Sequence, residues 1–244
     1  MTTSPNLRSG SAPFERTANA IQRRLVAAYT SWSISVRRDL LAVSERGAPS
    51  PTLAAALRPR MSSLENELQD TLRAGVEAAT NVSVGRKLAR TPAAQSIQRS
   101  LNASNFQLIQ TSLIPDILNG LTTAFLTATV EIDAAFLASS FIVFQGRVAQ
   151  FAGGAWVAIF EVQRRVGQEL ERESGDIRPV RWNLNPLAEH CSDSGTHHGC
   201  PGLARTYDGG WNELITVPAG QVTCRGNCRC FLTVLKDGEW VRGL

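Results

Sequence analysis

The sequence predicts a mainly α protein, in which a long-helix N-terminal body precedes a small C-terminal α+β or all-β cysteine-rich module. Three observations predict it. Apolar residues recur at steps of three and four from about Phe14 to Ser174, the signature of helices with one buried stripe. Ala, Leu, Val and Ile carry most of the 43% hydrophobic content, while aromatics are only 7%, which favours helix. All five cysteines and all three histidines lie between residues 190 and 230, where Gly, Pro and Asn become frequent and the stripe ends. A chain of 244 residues suits one body plus a small module. The division is placed at a body of 1–178 and a module of 179–244.

The first helix is expected over Phe14–Val43, with Ile21, Leu25, Tyr29, Trp32, Val36 and Leu40 on one face. Glu45-Arg46-Gly47-Ala48-Pro49-Ser50-Pro51 reads as a stop and turn. A second helix is expected over Thr52–Thr80, carried by Leu53, Leu57, Leu64, Leu68, Leu72 and Val76, with a kink or restart at Pro59. Asn81–Thr91 reads as looser chain, and Pro92 opens a third helix. Pro115 is expected to interrupt it. Asp116–Gln145 and Val148–Ser174 read as long helices, apolar over most of their surface and therefore covered on more than one side. Glu169, Glu171, Arg172 and Glu173 read as solubilising residues of the last turns. Ser174-Gly175-Asp176 and Pro179 end that helix. In the module, Cys228–Leu235 alternates like a strand, and Lys236-Asp237-Gly238-Glu239 turns it back into Trp240-Val241-Arg242.

Charge narrows the function classes without choosing one. The net charge is +4, too mild to mark a nucleic-acid binder by itself. Of 25 basic residues only Lys87 and Lys236 are lysines, and arginine suits fixed interfaces and phosphate contacts. Residues 1–110 carry a net +7, residues 111–180 a net −3, and residues 181–244 none. The basic first half fits either a solvated helix face or contact with DNA or an acidic protein. The opening MTTSPNLRSGSAP lacks a signal-peptide pattern. Residues 134–160 form the most apolar stretch, yet Arg147, Gln145 and Gln150 interrupt it, so it reads as one or two buried helices, a membrane span being the less favoured alternative. No glycine-rich nucleotide-binding loop is present.

The chemistry-bearing constellation is His190-Cys191-x-Asp193-Ser194-x-x-His197-His198-x-Cys200, then Cys224-x3-Cys228-x-Cys230. A small glycine-rich segment buries little apolar surface and needs a staple. Tetrahedral zinc held by thiolates and imidazole is one staple; disulfides and a set of inert buried thiols are the others. Five cysteines leave one over in any disulfide scheme. The candidate ligands are Cys191, Cys200, Cys224 and Cys228, with Cys230 and His190 in reserve. His197 and His198 read as solvated loop residues.

The run Trp182-x-Leu184-x-Pro186-x-Ala188-Glu189-His190-Cys191-x-Asp193, then Trp211, Pro218-x-Gly220-x-x-Thr223-Cys224-x-x-Asn227-Cys228-Arg229-Cys230, resembles the C-terminal motif of tailed-phage minor head proteins of the phage Mu head-morphogenesis type. The resemblance covers about residues 182–232, and the helical body matches only in class. Such modules commonly read H-C-x-D-C; here Ser194 stands at the second cysteine position, and Cys200 is the candidate replacement. What the resemblance implies is a non-enzymatic virion component, made in the host cytoplasm. It would act in head morphogenesis at the portal or neck, as a homo-oligomer meeting portal, capsid or neck proteins.

Two other classes are weighed beside it. One is a virion protein contacting packaged DNA through the arginines of the first two helices. The other is a metal-dependent hydrolase or nuclease using His197, His198, Asp193 and Asn227. A thiol nucleophile at Cys191 with His190 as base is disfavoured, because sequence neighbours rarely face each other. Asp116, Glu131 and Asp133 read as structural, with Arg147 or Arg164 as partners. The apolar helices from Asp116 to Ile159 are expected to be buried, with Phe141 and Phe144, between subunits or against a ring-shaped partner. Trp182, Trp211 and Trp240 are expected to build a miniature core in the module, with Trp240 folded over Phe231 or Leu232.

Overall fold

A computed structural model of the chain describes residues 12–184, 192, 198–218, 230–242 and 244. Its helices are α1 (Ala12–Ser44), α2 (Ser50–Ala89), α3 (Pro92–Leu108), α4 (Ile114–Leu126), α5 (Ala134–Ile142), α6 (Gln145–Ser174) and the short α7 (Cys200–Leu203). The strands are β1 (Val180–Asn183), β2 (Thr206–Tyr207), β3 (Phe231–Lys236) and β4 (Glu239–Val241). They form one antiparallel sheet in the order β2-β1-β3-β4. The chain is therefore mainly helical, with a small four-stranded sheet near its C-terminus.

Packing gathers the residues into two units. A helical unit comprises Ile21–Arg73 and Asn102–Phe151; a mixed unit comprises Met1–Ala20, Ala74–Leu101 and Ala152–Leu244. Packing in the mixed unit thus runs across 178/179, the point where the composition of the sequence changes.

The helical unit follows the apolar stripes. On α1, Ile21, Leu25, Tyr29, Trp32, Val36 and Leu40 are all buried, and on α2 so are Leu53, Leu57, Leu64, Leu68 and Leu72. The Tyr29 hydroxyl donates to the Phe141 carbonyl at 2.7 Å, and the Trp32 indole N–H donates to the Arg60 carbonyl at 3.0 Å. Burial pushes the Tyr29 phenol well above its ordinary value, an effect the Arg37 charge only partly offsets. Pro115 does not break the chain off. Ile109–Leu113 widens into a π turn, closed by an N–H bond from Ile114 to the Ile109 carbonyl. Helix α4 restarts with the proline in its first turn, where a missing N–H costs little.

Asp116–Gln145 is not one helix. Residues 127–133 leave helical conformation, and the Asp133 carboxylate caps α5 by accepting from Phe136 N–H at 2.8 Å. Ile132 is buried in that segment, and its carbonyl accepts the Ser44 hydroxyl at 2.9 Å. The apolar stretch 134–151 is divided again between α5 and α6, at Val143–Phe144. Phe141 and Phe144 are both buried within the chain itself. The expectation that they are buried between subunits is therefore corrected. Between Asp116 and Phe151, Leu126, Val130, Ile142 and Val143 are the large hydrophobic side chains left exposed.

In the mixed unit, α2 continues past Thr80 to Val84. The buried Thr80 and Ser83 hydroxyls bond back to the Val76 and Thr80 carbonyls, which keeps their polarity inside the helix. Gly85 then kinks the helix at φ 80°, ψ 156°, a backbone position that only glycine adopts readily. Thr91 caps α3 by accepting from Ala94 N–H, with Pro92 in the first turn as expected. The β3–β4 hairpin forms as read. Asp237 and Gly238 both take positive φ, 50° and 81°, the pair a two-residue type I′ turn requires. Trp240 differs from expectation: it stands opposite Leu235 in register, and the Arg181 guanidinium lies 3.9 Å from its ring centre. Arg242 is the residue that covers Phe231, at 3.3 Å.

Candidate functional site

Strand pairing sets the geometry around the cysteines. In β1–β3, Trp182 faces Leu232 and Asn183 faces Phe231. The Asn183 amide also donates to the Thr233 hydroxyl at 3.0 Å. Leu184, where the chain leaves β1, and Cys230, where it enters β3, therefore lie side by side, and β2, between them in sequence, pairs with the other edge of β1. Cys200 opens α7, and Cys230 immediately precedes β3. Both are 1% exposed and belong to one apolar core with Trp182, Trp211, Leu232 and Val234. Residues Ala79, Ile159 and Phe160 of α2 and α6 join that same core. Two of the three tryptophans expected to form it, Trp182 and Trp211, are buried there; Trp240 is only half-buried.

The other candidate ligands, His190, Cys191, Cys224 and Cys228, lie outside the described residues, as do Asp193, Ser194, His197 and Asn227. His198 is exposed. Among the described residues, no three His, Cys, Asp or Glu side chains gather as a metal site would require.

Glu171 is the functional-looking residue that sequence reasoning missed. It was grouped with the solubilising residues of the last turns, yet it is only 6% exposed. Its Oε1 accepts the Trp211 backbone N–H at 3.1 Å, and its Oε2 accepts from the Asn212 amide at 3.3 Å. Two glycines make this close approach feasible. A Cβ on Gly210, at φ 71°, would run into the Glu171 carboxylate, and a Cβ on Gly167 would meet the Trp211 ring at 2.5 Å. Burial raises the Glu171 carboxyl above its ordinary value; backbone hydrogen bonds oppose this, and the nearby Asp176 charge adds to it. The signal was legible: Phe160, Gln163, Gly167 and Glu171 step by three, four and four along α6, in phase with its buried face. Glu161, nearly three turns earlier, behaves oppositely. Burial pushes it up, but hydrogen bonds from Arg164 and Arg165, at 2.6 Å each, outweigh that and hold it below its ordinary value.

The remaining charged candidates take local roles. Asp116 pairs with Arg147 at 3.0 Å, both partly exposed, while Arg164 serves Glu161. Several arginines of the first two helices are engaged within the chain. Arg60 meets Asp39 at 2.8 Å, and Arg73 meets Asp70 at 2.7 Å while lying over the Phe106 ring. Arg23 and Arg24 are exposed. The arrangement is that of a helical protein whose C-terminal sheet anchors a cysteine-bearing segment. No known family, curated protein or solved structure matches the chain.

Proposed function

We propose that this chain is a non-enzymatic structural component of a tailed-phage virion, of the minor head or head-morphogenesis kind, with a C-terminal module stapled by zinc. The observation that supports this reading best is the closure of the motif by the sheet. Both ends of the resembling run, at Trp182 and at Cys230-Phe231, are brought side by side by β1–β3 pairing, and Cys200 and Cys230 are buried in one core. A closed neck with the Cys230 thiol at one end, and the Cys200 thiol buried in the same core, suits a staple, because a ligand set must be preassembled against chain entropy. Thiolates are soft donors that suit zinc. Cys191, Cys200, Cys224 and Cys228 would hold it, with Cys230 and His190 in reserve, and the ion would supply cross-linking, not chemistry. In that reading the module docks the protein onto a portal, capsid or neck partner.

Purified under reducing conditions, the chain is expected to carry about one zinc per molecule, as a four-ligand site implies. Cys200→Ala and Cys224→Ala should each lower that content and impair entry into particles. Metal-free protein with all five thiols titratable would defeat the zinc staple, and a particle map without this chain at the portal or neck would defeat the virion assignment.

A further inference from the structure

The end of α2 and the start of α3 border a polar cavity of about 320 Å3 in the mixed unit. Glu77 and Asn81 line it from α2 before the Gly85 kink, Arg86, Ala89 and Arg90 from the chain after it, and Gln95 and Gln98 from α3. In an unbroken helix, side chains nine residues apart point about 180° from each other. Arg86 would then face away from Glu77, and Arg90 away from Asn81. The kink is what brings both guanidinium groups round to one cavity. Val84, Ala89 and Ala94 share an apolar core, which holds the two segments in that arrangement.

Glu77 is the one acidic residue of the lining, against two arginines, and it forms no ion pair with either among the described residues. No acidic residue stands between Glu77 and Asp116 in the sequence, whereas Arg86, Lys87, Arg90 and Arg99 do, and all four are exposed. Arg99 follows Gln95 by four residues, so it continues the cavity's side of α3. The positive charge is therefore a strip, which matches a polyanion of repeated charges better than a single anion. Guanidinium groups suit phosphate oxygens, and side-chain amides suit phosphate and sugar oxygens. The volume, at the low end of the roughly 300–1,000 Å3 of ligand sites, admits one phosphodiester group with bridging water.

We infer that this cavity binds a backbone phosphate of nucleic acid, with Arg86 and Arg90 as its counter-ions and the amides of Asn81, Gln95 and Gln98 as hydrogen-bonding neighbours. Lys87 and Arg99 extend the contact along the strand, and Glu77 opposes it. The inference does not depend on the virion assignment.

The test uses the full chain and two fluorescein-labelled DNA duplexes of unrelated sequence, each of about 20 base pairs, followed by anisotropy between about 50 and 200 mM sodium chloride. Both duplexes should bind alike, with affinity falling as salt rises. Arg86→Gln and Arg90→Gln should each weaken both duplexes equally and lower the slope of log affinity against log salt by about 1. Arg23→Gln, at an exposed arginine of α1, should leave that slope unchanged. Glu77→Gln should tighten binding about twofold, the screened effect of removing one like charge. No binding at about 50 mM salt overturns the inference, as does a slope that neither Arg86→Gln nor Arg90→Gln lowers or that Arg23→Gln lowers equally. Tighter binding of an acidic phosphoserine peptide than of either duplex also overturns it, because the strip would then belong to a protein partner. Should an arginine variant fail to fold, the side-chain amide resonances of Gln95 and Gln98 in the unaltered chain decide. A saturable shift on adding duplex upholds the site, and its absence overturns it.

Discussion

The helical unit and the sheet end of the mixed unit are held together in different ways. In the helical unit, stability is distributed over many interchangeable aliphatic contacts, such as Leu57, Leu64 and Leu68, which are fully buried at regular helical spacing. Around the sheet it rests on single-purpose contacts. One glycine admits Trp211 against α6, another admits the Glu171 carboxylate, and one two-residue turn sets the β3–β4 register. A distributed core loses a few kcal/mol when one side chain is cut back. A keyed core is disturbed by adding a single methyl group. The difference shows why composition alone is a poor guide to which residues matter near the C-terminus.

The largest expected effect comes from deleting 180–244. This removes Trp182, Trp211 and β3, and it uncovers Ala79, Ile159 and Phe160, which share their core. The truncated chain should aggregate or lose cooperative melting by calorimetry. A soluble, cooperatively folding product would show that the sheet end is an independent domain after all.

Next is Phe141→Ala in the helical unit, where a ring that is 1% exposed packs 5.8 Å from Trp32. The loss should be about 3–5 kcal/mol in urea unfolding. A loss below about 1 kcal/mol would place this ring outside the distributed core.

Gly167→Ala and Gly210→Ala test the keyed contacts directly. Each should cost about 1–3 kcal/mol, the first by overpacking on Trp211 and the second by strain at positive φ together with its clash at Glu171. Ala at a control glycine with open space, Gly146, should be near neutral or slightly stabilising. If all three behave alike, the contrast between the units fails.

The smallest effect is the pH dependence set by Glu171. Its folded value lies above the ordinary 4.5, chiefly through burial and further through Asp176. Its contribution to stability is therefore fully present below about 4.5 and is lost as pH rises through the folded value. Glu171→Gln should flatten that part of the stability–pH curve, measured by urea midpoints across the acid range. An unchanged slope would show that the carboxyl is not buried in solution.

How much of this was legible in the sequence varies with the kind of signal. The stripes on α1 and α2 were, because burial repeats every three or four residues and each position reports the same fact. The Lys236–Glu239 turn was, because Asp-Gly is chemically suited to two positive φ angles. The break at 127–133 was not read: Thr127, Thr129, Val130 and Ile132 lower helix propensity only slightly each, and it is the capping by Asp133 that makes the break stable. For the candidate site, the clustering of cysteines was plain. Of the candidate ligands only Cys200 and Cys230 are described, and both lie in one apolar core; Cys191, Cys224, Cys228 and His190 lie outside the described residues.

By itself, the sequence determined the helical class, the faces of the first two helices, the hairpin and the concentration of thiols in one segment, all properties of local periodicity or composition. Tertiary structure alone decided the rest. It turned Phe141 and Phe144 inward, joined the sheet's core to Ala79, Ile159 and Phe160, and chose the Trp211 backbone, forty residues away, as the partner of Glu171. The physical reason is that a local pattern specifies which face of an element is apolar. What that face meets depends on distant residues, and a single glycine or carboxylate carries no periodic signal of the partner it was placed to fit.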